Sequence, residues 1–141
     1  PPFTREQRQE AEYAGLGFLL GSHPLALYED RIRPLRAHLV SSRALGRHVG
    51  ERITLLGWPV TGKVVSTKHR EPMEFFSFED QEGLYETILF PKAYARYARL
   101  LEVAQPLLVT GTVQREWGVC SVCVERVVAL PNEPAQAVRV A

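Results

Sequence analysis

The sequence predicts a mainly β fold: a five-stranded Greek-key barrel with a helix between strands three and four, preceded by a small α-helical segment. Three observations predict it. From residue 52 onward, β-forming runs are punctuated by Gly, Pro and acidic turn residues. The first run, RITLLGWPVTGKVVST at residues 52–67, is long for one strand and carries Gly57, Pro59 and Gly62 in its middle. That pattern suits a strand that bulges or bends sharply so as to serve two sheets. Finally, a helical stripe, PKAYARYARLLEV at residues 91–103, falls between the third and fourth β runs.

Each element has its own signals. Residues 4–20 read as a helix, since Thr4-Arg-Glu-Gln7 fits a capping box and Ala11, Ala14 and Phe18 recur at helical spacing before Gly21. In the turn GSHPL at residues 21–25, Pro24 opens a second helix running to about residue 40, kinked or divided at Pro34. His23 is expected to cap or pack this turn rather than to act as a ligand or base, because no partner lies nearby in the sequence. Ser41-Ser42 offers an N-cap for a single helical turn through Leu45. Residues 1–50 therefore form a helical segment, residues 51–130 the barrel, and residues 131–141, rich in Pro, Asn, Gln and Ala, a loose tail.

Within the barrel, the polar loop Lys68-His-Arg-Glu-Pro72 leads into an aromatic-rich hairpin, MEFFSFEDQEGLYETILF at residues 73–90, which turns at EDQEG. Pro91 then starts a helix with Ala93, Tyr97, Leu100 and Leu101 on one stripe. Residues 107–116 and 119–130 form the last two strands, joined at Trp117-Gly118.

Composition narrows the function. A chain of 141 residues, 45% hydrophobic and 23% charged, is long enough for one domain with a real core. No run reaches the roughly 18 apolar residues of a membrane span, and the start, PPFTREQ, has no signal-peptide layout. The expected setting is cytoplasmic, with no membrane partner. Net charge is +1, but residues 31–70 carry nine Arg or Lys (31, 33, 36, 43, 47, 52, 63, 68, 70) against Glu51, while residues 71–90 carry six acids and no base. Cys120 and Cys123 lie in a β-like run, where an offset of three sends side chains to opposite faces. His23, His38, His48 and His69 supply no matching ligand spacing, so no metal, redox chemistry or cofactor is expected, and no small-molecule substrate. No shared motif pairs an acid, base or nucleophile, so no catalytic residue is expected either.

Five strands with a helix between the third and fourth is the layout of an OB-fold, which binds oligonucleotides or oligosaccharides across strands two and three and the loops joining strands one to two and four to five. Here those loops are residues 68–72 and 115–118. They offer Lys68, Arg70 and Arg115 to phosphates, and His69 and Trp117 for stacking on bases, with Lys63 adding a cation from the first strand. Period two sets Met73, Phe75 and Ser77 on one face of the second strand and Phe76 and Phe78 on the other, without saying which face is buried.

The barrel resembles the OB domain near the C-terminus of bacterial DNA polymerase III alpha subunits, through Glu71-Pro-Met-Glu-Phe75, Phe78-Glu-Asp80, Gly83, ETILFP at residues 86–91 and Leu107-Leu-Val-Thr-Gly111. LGFLLGSHPL at residues 16–25 is similar to the family's LGFYLSGHPL signature upstream of that barrel, with Gly and Ser exchanged before the His. The resemblance covers about residues 10–130 and implies single-stranded template binding close to a polymerase core, with no chemistry of its own. It also favours Phe76 and Phe78 as core and Phe75 as outward, since the aromatic matching Phe75 stacks on a base in similar anticodon-binding barrels. Tyr85, Thr87 and Leu89 then face in, and Glu86 and Ile88 face the binding side. A chain of this length has no room for a polymerase palm or for the family's histidine-rich metal-binding domain; it is expected to be an excised piece of a larger subunit or a stand-alone relative.

The leading expectation is a non-catalytic, sequence-tolerant single-stranded DNA-binding module of a replicative or error-prone subunit, acting through Lys63, Lys68, His69, Arg70, Phe75, Arg115 and Trp117. Its partners would be the template strand and the rest of the polymerase subunit or other replisome proteins. The alternatives are a protein-interaction module in a replication or repair assembly, suggested by the six acids of the hairpin region, and an anticodon-type RNA-binding barrel.

Overall fold

Strand β1 (Arg52–Ser66) is long enough to serve two neighbours, and the computed structural model, which describes residues 23–132, has it do so. Its first half pairs antiparallel with β4 (Leu107–Glu116), from Arg52 opposite Thr112 to Gly57 opposite Leu107. Its second half pairs antiparallel with β2 (Pro72–Glu79), from Trp58 opposite Glu79 to Ser66 opposite Pro72. The register slips between Pro59 and Thr61, where proline has no N–H to give the ladder. Strand β3 (Leu84–Leu89) completes the hairpin with β2 and runs parallel to β5 (Val119–Ala129), which pairs back onto β4. The result is a closed barrel in the order β1-β2-β3-β5-β4. With a helix between β3 and β4, this is the OB-fold.

Inside the barrel lie Leu55, Phe76, Phe78, Tyr85, Leu89, Val109, Val113 and Val122, as the outward placing of Phe75 requires. Tyr85 stacks on Phe78 with ring centroids 5.6 Å apart and donates its hydroxyl to the Leu56 carbonyl at 2.9 Å. Thr87, also buried, donates to the Phe76 carbonyl at 2.8 Å. Each buried hydroxyl thus has an acceptor, without which its burial would cost stability.

A second core lies outside the barrel. Residues 53–58 of β1 are buried in one continuous run, as in strands covered on both faces. Leu25, Ile32 and Leu35 of the preceding segment pack there against Leu56, Trp58, Leu108 and Leu130. That segment is helical but not one helix: a 3₁₀ turn (Pro24–Tyr28), the short α1 (Glu29–Ile32) and another 3₁₀ turn (Arg33–His38) follow one another. Pro34 divides it as expected, because a proline nitrogen cannot donate to the carbonyl one turn back. Ser41 caps the next 3₁₀ turn (Ser42–Arg47), its hydroxyl accepting from the Arg43 N–H at 3.1 Å. His23 caps the first, its Nδ1 accepting from the Leu25 N–H at 3.0 Å.

Helix α2 (Pro91–Tyr97) is shorter than the 91–103 stripe predicts; the chain tightens into a 3₁₀ turn (Leu100–Glu102) that sends Leu101 into the barrel core with Leu100 beside it. Cys120 packs on that core, and Cys123 lies on the opposite face of β5. Among the described residues no helix is long and apolar enough to cross a membrane. The predicted helix at residues 4–20, the start of the GSHPL turn and the tail from residue 133 lie outside the described residues.

Candidate nucleic-acid interface

The outer face of the barrel follows from the inner one. With Phe76 and Phe78 buried, β2 turns Met73, Phe75 and Ser77 outward, and Phe75 is 45% exposed. Residues directly opposite in a ladder share a face. Phe75 stands opposite Lys63 on β1 and Ile88 on β3; Ile88 stands opposite Cys123 on β5, and Cys123 opposite Thr112 on β4. One row of this surface is therefore Lys63, Phe75, Ile88, Cys123 and Thr112. The neighbouring row is Thr61, Ser77, Glu86, Ser121 and Gln114. An aromatic and aliphatic row thus lies beside a hydrogen-bonding row, about 7 Å away at two residues per pleat. The Ser77 hydroxyl sits 2.7 and 2.9 Å from the two carboxylate oxygens of Glu86, to which it donates.

Two loops bound this floor. In the β1–β2 loop, Thr67 accepts through its side-chain oxygen from the His69 and Glu71 N–H groups, both at 3.2 Å, and Arg70 takes a positive φ of 62°. Lys68, His69 and Arg70 are exposed around that turn. The β4–β5 connection is a two-residue hairpin, Trp117 at φ 55° and Gly118 at φ 77°, the left-handed pair that a type I′ turn requires. Trp117 is 98% exposed. Because β5 runs parallel to β3, this turn lies at the hairpin-turn end of β2 and β3, whereas the β1–β2 loop lies at the other. The two loops flank the floor from opposite ends.

The predicted residues are distributed accordingly. Lys63 and Phe75 are direct cross-strand neighbours; Lys68, His69 and Arg70 cluster at one end and Trp117 stands at the other. Arg115 is set apart. It continues the inward series of Val113, opposes Cys120, and reaches over Gly46, where an added Cβ would meet its guanidinium at 2.9 Å. It closes the barrel end instead of joining the floor. Among the described residues, Lys63, Lys68, Arg70 and Arg115 form no ion pair.

The acids of the hairpin region are largely occupied. Buried Asp80 accepts from the Ser42 N–H (2.7 Å) and hydroxyl (2.8 Å) and from the Glu82 and Gly83 N–H groups, both at 2.9 Å. Glu82 receives the Ser41 hydroxyl, Arg43 donates to the Glu82 carbonyl at 3.0 Å, and Glu79 pairs with His23, whose ring lies edge-on to Trp58. These contacts fasten the hairpin turn to the helical segment. Glu74 shares the inward series with Phe76; burial, and then the nearby Glu102, push its carboxyl above the usual range. Only Glu86, of these carboxylates, stands on the floor. Among the described residues, no group of three or more His, Cys, Asp or Glu could hold a metal ion.

Glu86 and Ile88 face outward, away from the barrel core, as expected. Ser121, Cys123, Thr112 and Gln114 were not foreseen there, because the parallel register of β3 on β5 that aligns them has no local sequence signal.

No protein-family model matches the chain. It is 28% identical over 126 residues to an error-prone DNA polymerase from Symbiobacterium thermophilum, covering 88% of this chain and 12% of that protein. To the DNA polymerase III subunit alpha of Vibrio cholerae it is 27% identical over 113 residues, covering 80% of this chain and 10% of that one. The chain thus spans about a tenth of the length of the curated relatives it matches. Among solved structures, the mitochondrial single-stranded DNA binding protein Rim1 of S. cerevisiae aligns with a TM-score of 0.48 at 14% identity, covering 59% of this chain and 98% of that one. The fold assignment rests on the strand order of the closed barrel.

Proposed function

We propose that this chain, which resembles the C-terminal region of bacterial DNA polymerase III alpha subunits, replicative and error-prone, is a non-catalytic module that holds single-stranded DNA. In this reading it guides template near a polymerase core whose nucleotidyl-transfer chemistry resides elsewhere in a larger protein. The observation that carries the reading is the cross-strand row Lys63, Phe75 and Ile88, lying between a cationic loop and an exposed tryptophan turn. Bases stack on Phe75 and Trp117, with His69 as a further platform, while Lys63, Lys68 and Arg70 neutralise phosphates and Arg115 adds charge from the barrel end. Stacking is worth about 1–3 kcal/mol per base, and three or four phosphate contacts on a single strand give a log-log salt slope of about −2 to −3. Affinity is then micromolar or weaker, with stacking largely tolerant of sequence.

Fluorescence anisotropy with labelled oligo-dT at low salt tests this. Binding is expected to fall about fivefold or more in Phe75→Ala and in Trp117→Ala. No binding, or binding that ignores both substitutions, sinks the proposal.

A second reading, docking on another replication or repair protein, draws on exposed Leu84, Val119 and Trp117 around the β4–β5 turn, not on the acids, most of which are engaged within the chain. It predicts failed oligonucleotide titrations and capture of a polymerase subunit or clamp instead. An oligoribonucleotide of equal length in the same assay addresses the anticodon-type alternative.

A further inference from the structure

One carboxylate, Glu86, stands in the middle of the floor beside Phe75, while Glu116 and Glu125 lie toward its β4 side, and the position of Glu86 restricts what can lie against it. Glu86 is exposed on the outward face of β3, with Ser77 opposite it on β2 and Ser121 opposite it on β5. The Ser77 hydroxyl has a single proton and engages one carboxylate oxygen at a time, leaving the other oxygen's lone pairs open to solvent. Among the described residues no cation pairs with Glu86. A phosphate over the middle of the floor would meet this negative charge; a phosphate at the rim meets Lys63, Lys68 or Arg70 instead. The backbone of a bound strand is therefore pushed to the β1 side and the loop, and its bases fall across the floor.

A base stacked on Phe75 lies one pleat, about 7 Å, from the Glu86 row, so its edge reaches that row. An ionised carboxylate only accepts hydrogen bonds. Cytosine offers its N4 amino group as a donor, whereas thymine turns its O4 acceptor toward the same position and is repelled. We infer that Glu86 is a base-reading residue on the floor of the groove and biases it toward amino-bearing bases, cytosine over thymine. This rests on the single-stranded DNA reading above and adds a preference to it: stacking supplies most of the affinity, and the carboxylate tilts it.

The test compares labelled oligo-dC and oligo-dT of equal length, at low salt and slightly alkaline pH, with the whole 141-residue chain and its Glu86→Gln variant. The two pyrimidines present equal stacking area, so the exocyclic group decides. The native chain is expected to bind oligo-dC about three- to tenfold more tightly than oligo-dT, and Glu86→Gln to bring the ratio near one, chiefly by improving oligo-dT binding. Equal binding of the two by the native chain, or a ratio unchanged in Glu86→Gln, overturns the inference and leaves the DNA-binding reading in place. Failure of both oligonucleotides to bind overturns both. Far-ultraviolet circular dichroism and a melting curve on the variant establish that the fold persists.

Discussion

Trp117 sits where a type I′ turn favours asparagine, and the substitution Trp117→Asn separates stability from binding. The residue holds φ at 55°, a left-handed conformation that costs an ordinary side chain about 1–2 kcal/mol relative to the right-handed region. Asparagine tolerates that region and precedes glycine in the favoured hairpin turn; Gly118 at φ 77° already supplies the second position. At 98% exposure the indole contributes almost no burial that its removal could forfeit. Trp117→Asn is therefore expected to stabilise the fold by roughly 1 kcal/mol, within the range for relieved backbone strain. With a urea m-value of about 1–3 kcal/mol/M, the unfolding midpoint should rise by roughly 0.3–1 M. The same variant should bind oligo-dT at least fivefold more weakly, since a stacking platform worth about 1–3 kcal/mol is gone. Equilibrium urea unfolding and anisotropy on one preparation give both numbers. A variant no more stable than the native chain refutes the strain argument, and one of undiminished affinity removes Trp117 from the interface.

Two further outcomes test the supports of the site. Asp80→Ala strips acceptors from two Ser42 groups and two turn amides, and should destabilise the chain by about 2–4 kcal/mol in urea unfolding, whereas Asp80→Asn should cost less because one acceptor oxygen remains. Glu74 has its folded pKa raised by burial, so the folded state binds its proton more tightly than the unfolded state does; its contribution is fully present below the ordinary carboxylate pKa and is lost as pH rises through the raised value. Glu74→Gln should accordingly stabilise the chain at pH 7, by an amount that shrinks as pH falls through the raised value and is gone below about 4, measured as unfolding midpoints across that range.

Much of the barrel was legible in the sequence because local rules determine it. Pro59 marks the register slip of β1, EDQEG and Trp117-Gly118 mark two hairpin turns, and period two with the family resemblance turned Phe75 outward. What was not legible depends on contacts between distant residues. Residues 53–58 are buried on both faces, yet nothing in the sequence identified Leu25, Ile32 and Leu35 as their cover. The acids suggested a surface for a partner, whereas Asp80 meets Ser42 and Glu79 meets His23 across the fold. Arg115 read as a loop cation because loop membership is a statement about sequence position; counting in twos from Val113 would have placed it on the inward series at the barrel end.

Single-stranded DNA is expected to lie on the outward face of β2 and β3. Amide chemical-shift mapping by nitrogen-15 nuclear magnetic resonance, with oligo-dT titrated into the labelled chain, locates that contact directly. Shifts are expected to concentrate at Lys63, Phe75, Ile88 and Cys123, in the loop at Lys68, His69 and Arg70, and at Trp117 and Gly118. Shifts confined to residues 24–47, the segment that covers the first half of β1 and one barrel end, would contradict it.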